Sequence, residues 1–392
     1  MSIRIDTSLL ADLKAFGATN IESCFNCGNC TAVCPLTENA SFPRKIIRYA
    51  QIGAKQALLG AKELWLCYYC GECSKTCPRE AEPGEFMAAA RRYAIAGFDP
   101  TGLAKAMYKR PWLNVLLSIV LALFFGVFLL AFTQGTGFAK LSFWQFLPEG
   151  VVKYGGLALF LAILVIMLVG CARMVRSLSW SARHQPASTA YSGEGKMGWL
   201  KAAWEALGIQ ALGHTSYRDD DCEEERGRPW IVRKWFMHAA IFYGFLGLFA
   251  STALDFLFKP LGSMVPIYYP MRLLGTISGI ALMYGTSLAL VRRFRKSDKY
   301  AANSHSSDWI FLVLIWLVGL TGFLLEISVY APPPARWGYP LLIIHVALAM
   351  DLFALLPVSK FAHMLYRSTA IFLHHLKQKE KTEQEQTAVA PA

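Results

Sequence analysis

The chain has little charge, no adjacent cysteine pair and no secretory leader pattern, and each lack removes a class of protein. Asp, Glu, Lys and Arg make up 17% of the 392 residues while 55% are hydrophobic. Soluble domains hold ~45–50% apolar residues, so the chain is more apolar than an ordinary soluble domain, and the excess is unevenly spread. The missing Cys-Cys dipeptide removes the paired-cysteine site of a thiol–disulfide reductase. The first hundred residues contain no apolar stretch ending in a cleavage site. The cysteines are therefore expected in a reducing cytosol, where metal binding prevails over disulfides. The net charge of +12 comes without a nucleic-acid reading motif, so nucleic acid is not an expected partner. Inverted repeats and polar helix breaks, the marks of a transporter, are also missing.

What remains divides in two. Residues 1–110 read as a cytosolic domain with Lys and Arg throughout. From Trp112 onward, apolar runs of about 20 residues, the length of a bilayer span, alternate with charged loops. Six spans are expected near Trp112–Phe132, Val151–Cys171, Trp235–Phe258, Met271–Arg292, Trp309–Tyr330 and Pro340–Leu356. The last has room to continue as helix to about Leu376. Two transmembrane helices occupy 111–180, a cytosolic or interfacial loop 181–234, a four-helix membrane domain 235–376, and a disordered cytosolic tail 377–392. Positive residues crowd alternate loops: Arg173, Arg176 and Arg183, then Arg292, Arg293, Arg295 and Lys296. The positive-inside rule puts both termini in the cytoplasm of a multi-pass protein of the bacterial inner membrane. Within the loop, Lys196–His214 places Trp199, Leu200, Trp204, Leu207 and Leu212 on one face, as in a helix at the membrane interface or a small soluble helix. The acidic run Asp219–Glu225 reads as a solvated loop or a dock for a basic partner.

Eight of the ten cysteines form two copies of C-x2-C-x2-C-x3-C-P: Cys24, Cys27, Cys30, Cys34 and Cys67, Cys70, Cys73, Cys77, offset by 43 residues. Three close thiolates wrap three corners of an iron–sulfur cubane, and the fourth, turned by its proline, reaches the other cubane. One [4Fe–4S] cluster is thus expected on Cys24, Cys27, Cys30 and Cys77, the other on Cys67, Cys70, Cys73 and Cys34. Zinc sites prefer paired hooks across a longer span. Pro43 to Lys62 is expected as a helix over the cubanes.

His345 and His363 are 18 residues apart on one expected helix. That is five turns and about 27 Å, so they share a face at opposite membrane depths, with Pro357 between them. His238 opens the third span at the depth of His363. A haem b between His238 and His363 is expected on the cytosolic side. His345 is a candidate for a second haem, with an unusual second ligand or none, or for a hydrogen bond to quinone. Intramembrane acids are costly and usually functional. Asp255, Glu326 and Asp351 are candidate quinone and proton sites, although Asp255 and Glu326 also fit interfacial acids at helix ends. The expected fold is all-helical: a ferredoxin-like two-cluster domain plus a six-helix transmembrane cytochrome b bundle.

The cysteine motifs resemble those of the C subunit of heterodisulfide reductases. The pattern of His238, His345 and His363 resembles the gamma (cytochrome b) chain of respiratory nitrate reductase and the membrane subunit of heterodisulfide reductase. The fusion of both parts resembles the C-subunit family of quinone-interacting membrane-bound oxidoreductase complexes. That resemblance implies two haems b, menaquinol as the membrane reductant, and two cytosolic FAD- and iron–sulfur-containing partner subunits. It also implies adenylylsulfate reductase as the distant acceptor in sulfate respiration. In the cytochrome b relatives a second histidine follows the first by about ten residues; here that position is Leu248.

Overall fold

The computed structural model describes residues 4–36, 41–135, 142–184, 198–215, 218, 227–259, 266–296, 304–330 and 336–376. Every regular element among them is helical. The amino-terminal helices are short: α1 (Leu9–Ala15), α2 (Asn29–Ala32), α3 (Arg44–Gln51), α4 (Lys55–Leu59), α5 (Glu63–Leu66) and α6 (Glu72–Lys75). They lead to α7 (Pro83–Phe98) and α8 (Leu103–Lys109). Long apolar helices follow: α9 (Pro111–Leu130), the short α10 (Phe143–Phe146), and α11 (Glu149–His184). After α12 (Trp199–Ala203), which continues as a π-wound stretch to Leu212, come α13 (Lys234–Phe258), α14 (Pro270–Phe294), α15 (Ser306–Tyr330), α16 (Gly338–Leu355) and α17 (Ala362–Leu376).

Six of these, α9, α11, α13, α14, α15 and α16, are long and apolar enough to cross a membrane. They coincide with the six expected spans to within a few residues at most ends; α11 runs on well past Cys171. The expected tail 377–392, the acidic run and Cys222 lie outside the described residues.

The chain forms two compact units, each discontinuous in sequence: residues 1–100 with 169–220 and 362–392, and residues 101–168 with 221–361. In the first, α1 packs on α3 and α7, α2 on α6, and α17 on α5, α7 and the π-wound stretch. Its core holds Leu9, Leu13, Phe16, Ile46, Ile47, Leu58, Leu64 and Trp65, each at most 1% exposed. Trp199, Leu200, Trp204, Leu207 and Leu212 form an exposed apolar face, while Ala202 and Ala206 are buried.

In the second unit α13 packs along α14, α14 on α15, α15 on α16, and α16 on α9. Small residues set the closest crossing. A Cβ on Gly244 would stand 2.6 Å from the Leu282 backbone nitrogen, and one on Gly285 2.9 Å from the Met237 carbonyl oxygen. Backbones this close gain dispersion contacts where lipid offers no hydrophobic drive. Around α16, Leu129, Phe143, Phe146, Leu147, Tyr339 and Ile343 form one apolar cluster.

Two expectations are corrected. The helix over Pro43–Lys62 is two helices, because the backbone turns at Gly53 with φ +74°. The helix carrying both His345 and His363 is broken between Leu355 and Ala362. Pro357 has no N–H to give and its ring collides with the carbonyl four residues back; the chain instead makes tight turns, with Val358 and Ser359 N–H both on the Leu355 carbonyl. The five-turn register that put the two histidines on one face therefore does not apply.

Gly244→Leu should destabilise the second unit by about 1–3 kcal/mol or more, the cost of overpacking. At Gly156 nothing lies within 4 Å of where a Cβ would stand, and Gly156→Ala should gain about 0.5–1 kcal/mol. Thermal unfolding in detergent reads both; equal melting temperatures for Gly244→Leu and the parent would refute the close crossing.

Candidate iron–sulfur and membrane redox sites

The sequence repeat is also a backbone repeat. Cys24 and Cys67 are extended, with φ/ψ of −74/115° and −60/130°. Two residues on, Asn26 and Tyr69 are left-handed (φ 59° and 61°), and Gly28 and Gly71 are left-handed again (φ 94° and 91°). Each glycine caps a one-turn helix that carries the third cysteine, Cys30 on α2 and Cys73 on α6. Only glycine holds such a conformation without steric cost, which explains the fixed C-G-x-C in both copies.

The thiols of the two copies are interleaved. Burial first, then the neighbouring thiols of Cys24, Cys27 and Cys77, push the Cys30 thiol up from its ordinary value. Burial also pushes Cys73 up, followed by Cys67, Cys70, Cys30 and Cys34. So the fourth cysteine of each copy lies near the third cysteine of the other. Iron–sulfur clusters are held by cysteine thiolates, and a bound cation deprotonates its thiol ligands outright. The donor set therefore fits iron–sulfur clusters.

Each copy has its own brace. Gln51 of α3 donates to the Cys24 carbonyl at 2.8 Å. Arg91 of α7 donates to the Leu64 carbonyl at 2.7 Å and also to that of Cys67, and Arg367 of α17 reaches the Cys67 carbonyl at 3.4 Å. The N–H groups of Tyr69 and Ala81 point at the sulfurs of Cys67 and Cys77, each at 3.4 Å. Such bonds tune cluster potential. Spacing alone could not reveal the side-chain braces, because their partners are 24 to 300 residues away.

In the second unit a cavity of about 460 Å³ opens among α13, α14, α15 and α16, within the range of cofactor and ligand sites. His345, Asp255 and Glu326 all line it, as do Leu248, Arg272, Lys259 and Phe323. The acids are paired: Glu326 accepts from Thr276 at 3.0 Å and lies 3.6 Å from Arg272. Lys259 lies 3.2 Å from Asp255 and 3.4 Å from Glu149. Lys259 and Glu149 are site residues that the sequence did not single out; the i,i+4 spacing of Asp255 and Lys259 was the available signal.

The His345 ring is oriented by a hydroxyl. Thr321 Oγ1, which is 2.7 Å from the Leu317 carbonyl, lies 3.0 Å from His345 Nδ1. With the hydroxyl proton on the carbonyl, Nδ1 is the donor of that contact and Nε2 keeps the lone pair. That is the arrangement of a metal-ligating histidine oriented by a second group, and equally of an acceptor for a quinol hydroxyl. Gly322 makes room for the ring: a Cβ there would meet His345 Cε1 at 3.1 Å. His345 and Leu248 share the cavity, and among the described residues His345 is its one histidine. His238 sits on α13 in the second unit and His363 on α17 in the first.

Asp351 is not among the cavity-lining residues. It is fully buried on α16 and accepts from Ser118 of α9 at 2.6 Å; its Oδ1 has no hydrogen-bond partner among the described residues. Ser118→Ala should therefore cost about 1–3 kcal/mol, the penalty for stripping a buried polar group of its partner. The double variant S118A/D351L should recover most of that, since removing both partners can be nearly neutral. Unfolding in detergent measures both, and a neutral Ser118→Ala would remove the pair from the account.

Comparison with known proteins follows the same division. A 4Fe–4S dicluster domain matches residues 20–81, and the Citrate utilization protein B family matches residues 103–384. Citrate utilization protein B of Escherichia coli is 26% identical over 307 residues, covering 74% of this chain and 76% of that protein. The E subunit of the dihydromethanophenazine:CoB–CoM heterodisulfide reductase of Methanosarcina acetivorans is 30% identical over 156 residues, 35% of this chain and 57% of the relative. The C subunit of the H2:CoB–CoM heterodisulfide,ferredoxin reductase of Methanothermobacter thermautotrophicus is 38% identical over 56 residues, 14% of this chain and 30% of the relative. No solved structure matches. A 4Fe–4S dicluster domain and six candidate spans thus meet in one polypeptide, and the chain belongs to the Citrate utilization protein B family.

Proposed function

We propose that the chain is the quinone-reactive electron-transfer subunit of a membrane oxidoreductase complex. Electrons pass from menaquinol, through haem b and two [4Fe–4S] clusters, to cytosolic subunits that carry flavin and iron–sulfur centres. The observation that carries this reading is the twice-repeated C-x2-C-x2-C-x3-C-P motif, with Cys77 near Cys30 and Cys34 near Cys73, in the same chain as six candidate spans. Cys24, Cys27, Cys30 and Cys77 hold one cluster; Cys67, Cys70, Cys73 and Cys34 hold the other. The clusters move single electrons without making or breaking a bond to the substrate.

In the membrane, His238 and His363 are the ligands proposed for the inner haem b. His345 lines the cavity that Leu248 also lines, which suits a haem with one protein ligand or a hydrogen bond to quinone. Asp255 and Glu326, tied to Lys259 and Arg272 in that cavity, are the groups proposed to take up quinol protons. Asp351 is set apart from them by its bond to Ser118. The exposed Trp199–Leu212 face suits the headgroup interface of a bacterial inner membrane, with both termini cytoplasmic.

A second reading is a heterodisulfide-reductase-type membrane subunit whose thiol–disulfide chemistry sits on a partner; the relatedness to the E and C subunits supports it. The two readings share the electron path and differ in the soluble partner. The adenylylsulfate reductase end of the path, and membership of the quinone-interacting complexes, rest on resemblance alone.

Anaerobically prepared full-length protein given a menaquinol analogue should show reduced b-haem bands, followed by reduced-cluster electron paramagnetic resonance. A spectrum flat in the haem region removes the cytochrome. Clusters that dithionite reduces and quinol does not remove the quinone role.

A further inference from the structure

The two cysteine repeats match in backbone but not in surroundings. The second is covered. Trp65, just before Cys67, is 1% exposed and joins Phe98 and Tyr366 in an aromatic trio with centroids 5.5–6.4 Å apart. Arg367 lies over the Tyr68 ring at 5.2 Å and also reaches the Cys67 carbonyl. Tyr366 and Arg367 both belong to α17, one turn beyond His363. The helix that carries a proposed haem ligand therefore also braces the second repeat.

The first repeat is open. Phe25, the counterpart of Tyr68, is 61% exposed, Cys27 is exposed and Val33 is 38% exposed. Beside it lies an open cleft of about 770 Å³ whose lining includes Cys24, Phe25, Asn26, Arg44, Arg48 and Tyr49. Arg44 and Arg48 stand one turn apart on α3, both exposed. Arg44 Nη1 comes within 3.0 Å of where a Cβ on Gly28 would be, so its charge rests on the cysteine loop itself; at Gly71 nothing lies within 4 Å. The other ions of the cleft are already matched. Lys45 is 3.6 Å from Glu63 and Glu22 is 2.5 Å from Lys14.

We propose that the first-repeat cluster, on Cys24, Cys27, Cys30 and Cys77, is the port for exchange with the soluble partner. The Arg44/Arg48 cleft docks an acidic face of that one-electron redox protein. The second-repeat cluster is the inner relay, reached through α17. At the port a reduced cubane loses one electron and the partner centre gains it; no proton moves and no bond forms, and reverse flow uses the same contact. The placement follows from charge: a positive field over the cluster steers an anionic surface to it and raises the encounter rate. The inference rests on the reading of the eight cysteines as cubane ligands.

The test uses full-length protein with its iron counted and both clusters seen reduced by electron paramagnetic resonance. Reoxidation is followed with two outer-sphere oxidants of opposite charge, the ferricyanide trianion and the hexaammineruthenium(III) trication. The parent should react faster with the trianion at low salt, and the preference should shrink as salt screens the field. R44E/R48E should slow the trianion by roughly tenfold or more and speed the trication; R44Q/R48Q should move both rates the same way by less. Lys201→Glu, an exposed lysine on α12, which packs on α17, should change neither. Unchanged rates in a loaded R44E/R48E protein, or an equal effect of Lys201→Glu, would overturn the port. Absence of reducible clusters in the parent would instead defeat the underlying cubane reading.

Discussion

The interleaving of two cysteine quartets is the constraint on which the rest depends. Cys30 lies among Cys24, Cys27 and Cys77, and Cys73 sees Cys34 from the other copy. In the proposed ligand sets each cluster takes its fourth cysteine from the other repeat. Bound iron would therefore lock α2 to α6, and with them the helices that brace each loop. It would also hold the two clusters side by side, which is what lets one electron pass between them.

Around that centre the chain divides its labour by exposure and charge. The second repeat is held by Arg91 and Arg367 and covered by Trp65 and Tyr366. The first is held by Gln51 and left open under Arg44. In the apolar half, glycines bring α13 and α14 together, and the charged side chains of the cavity are matched within it. Burying a lone ion would cost several kcal/mol, so Glu326 is accompanied by Arg272 and Thr276, and Asp255 by Lys259. His345 is held at Nδ1 by the hydroxyl of Thr321.

Much of this was legible in the sequence, for physical reasons. Long apolar runs fix spans because unsatisfied backbone is intolerable in lipid, and all six spans appear as helices. The cysteine spacing encodes a loop geometry that recurs at Asn26/Tyr69 and Gly28/Gly71. Asp255 and Glu326 were singled out as acids within expected spans, where charge is costly, and both line one cavity. What the sequence did not yield were breaks and distant partners. Pro357 interrupts a helix whose apolar pattern runs on, so periodicity alone carried His345 and His363 onto one face. Gly53 does the same to the Pro43–Lys62 segment. Asp351 looked isolated because its partner, Ser118, is 233 residues away, and the arginine braces are equally hidden from local spacing.

The crossing of the fourth cysteines is tested most directly by comparing three serine variants of the full-length protein. Reduced spectra of Cys27→Ser and Cys70→Ser define what loss of each cluster looks like. The interleaved arrangement predicts that Cys77→Ser, although it lies in the second repeat, gives the Cys27→Ser spectrum. A Cys77→Ser spectrum matching Cys70→Ser would mean that each repeat closes its own cluster, and would contradict the account at its centre.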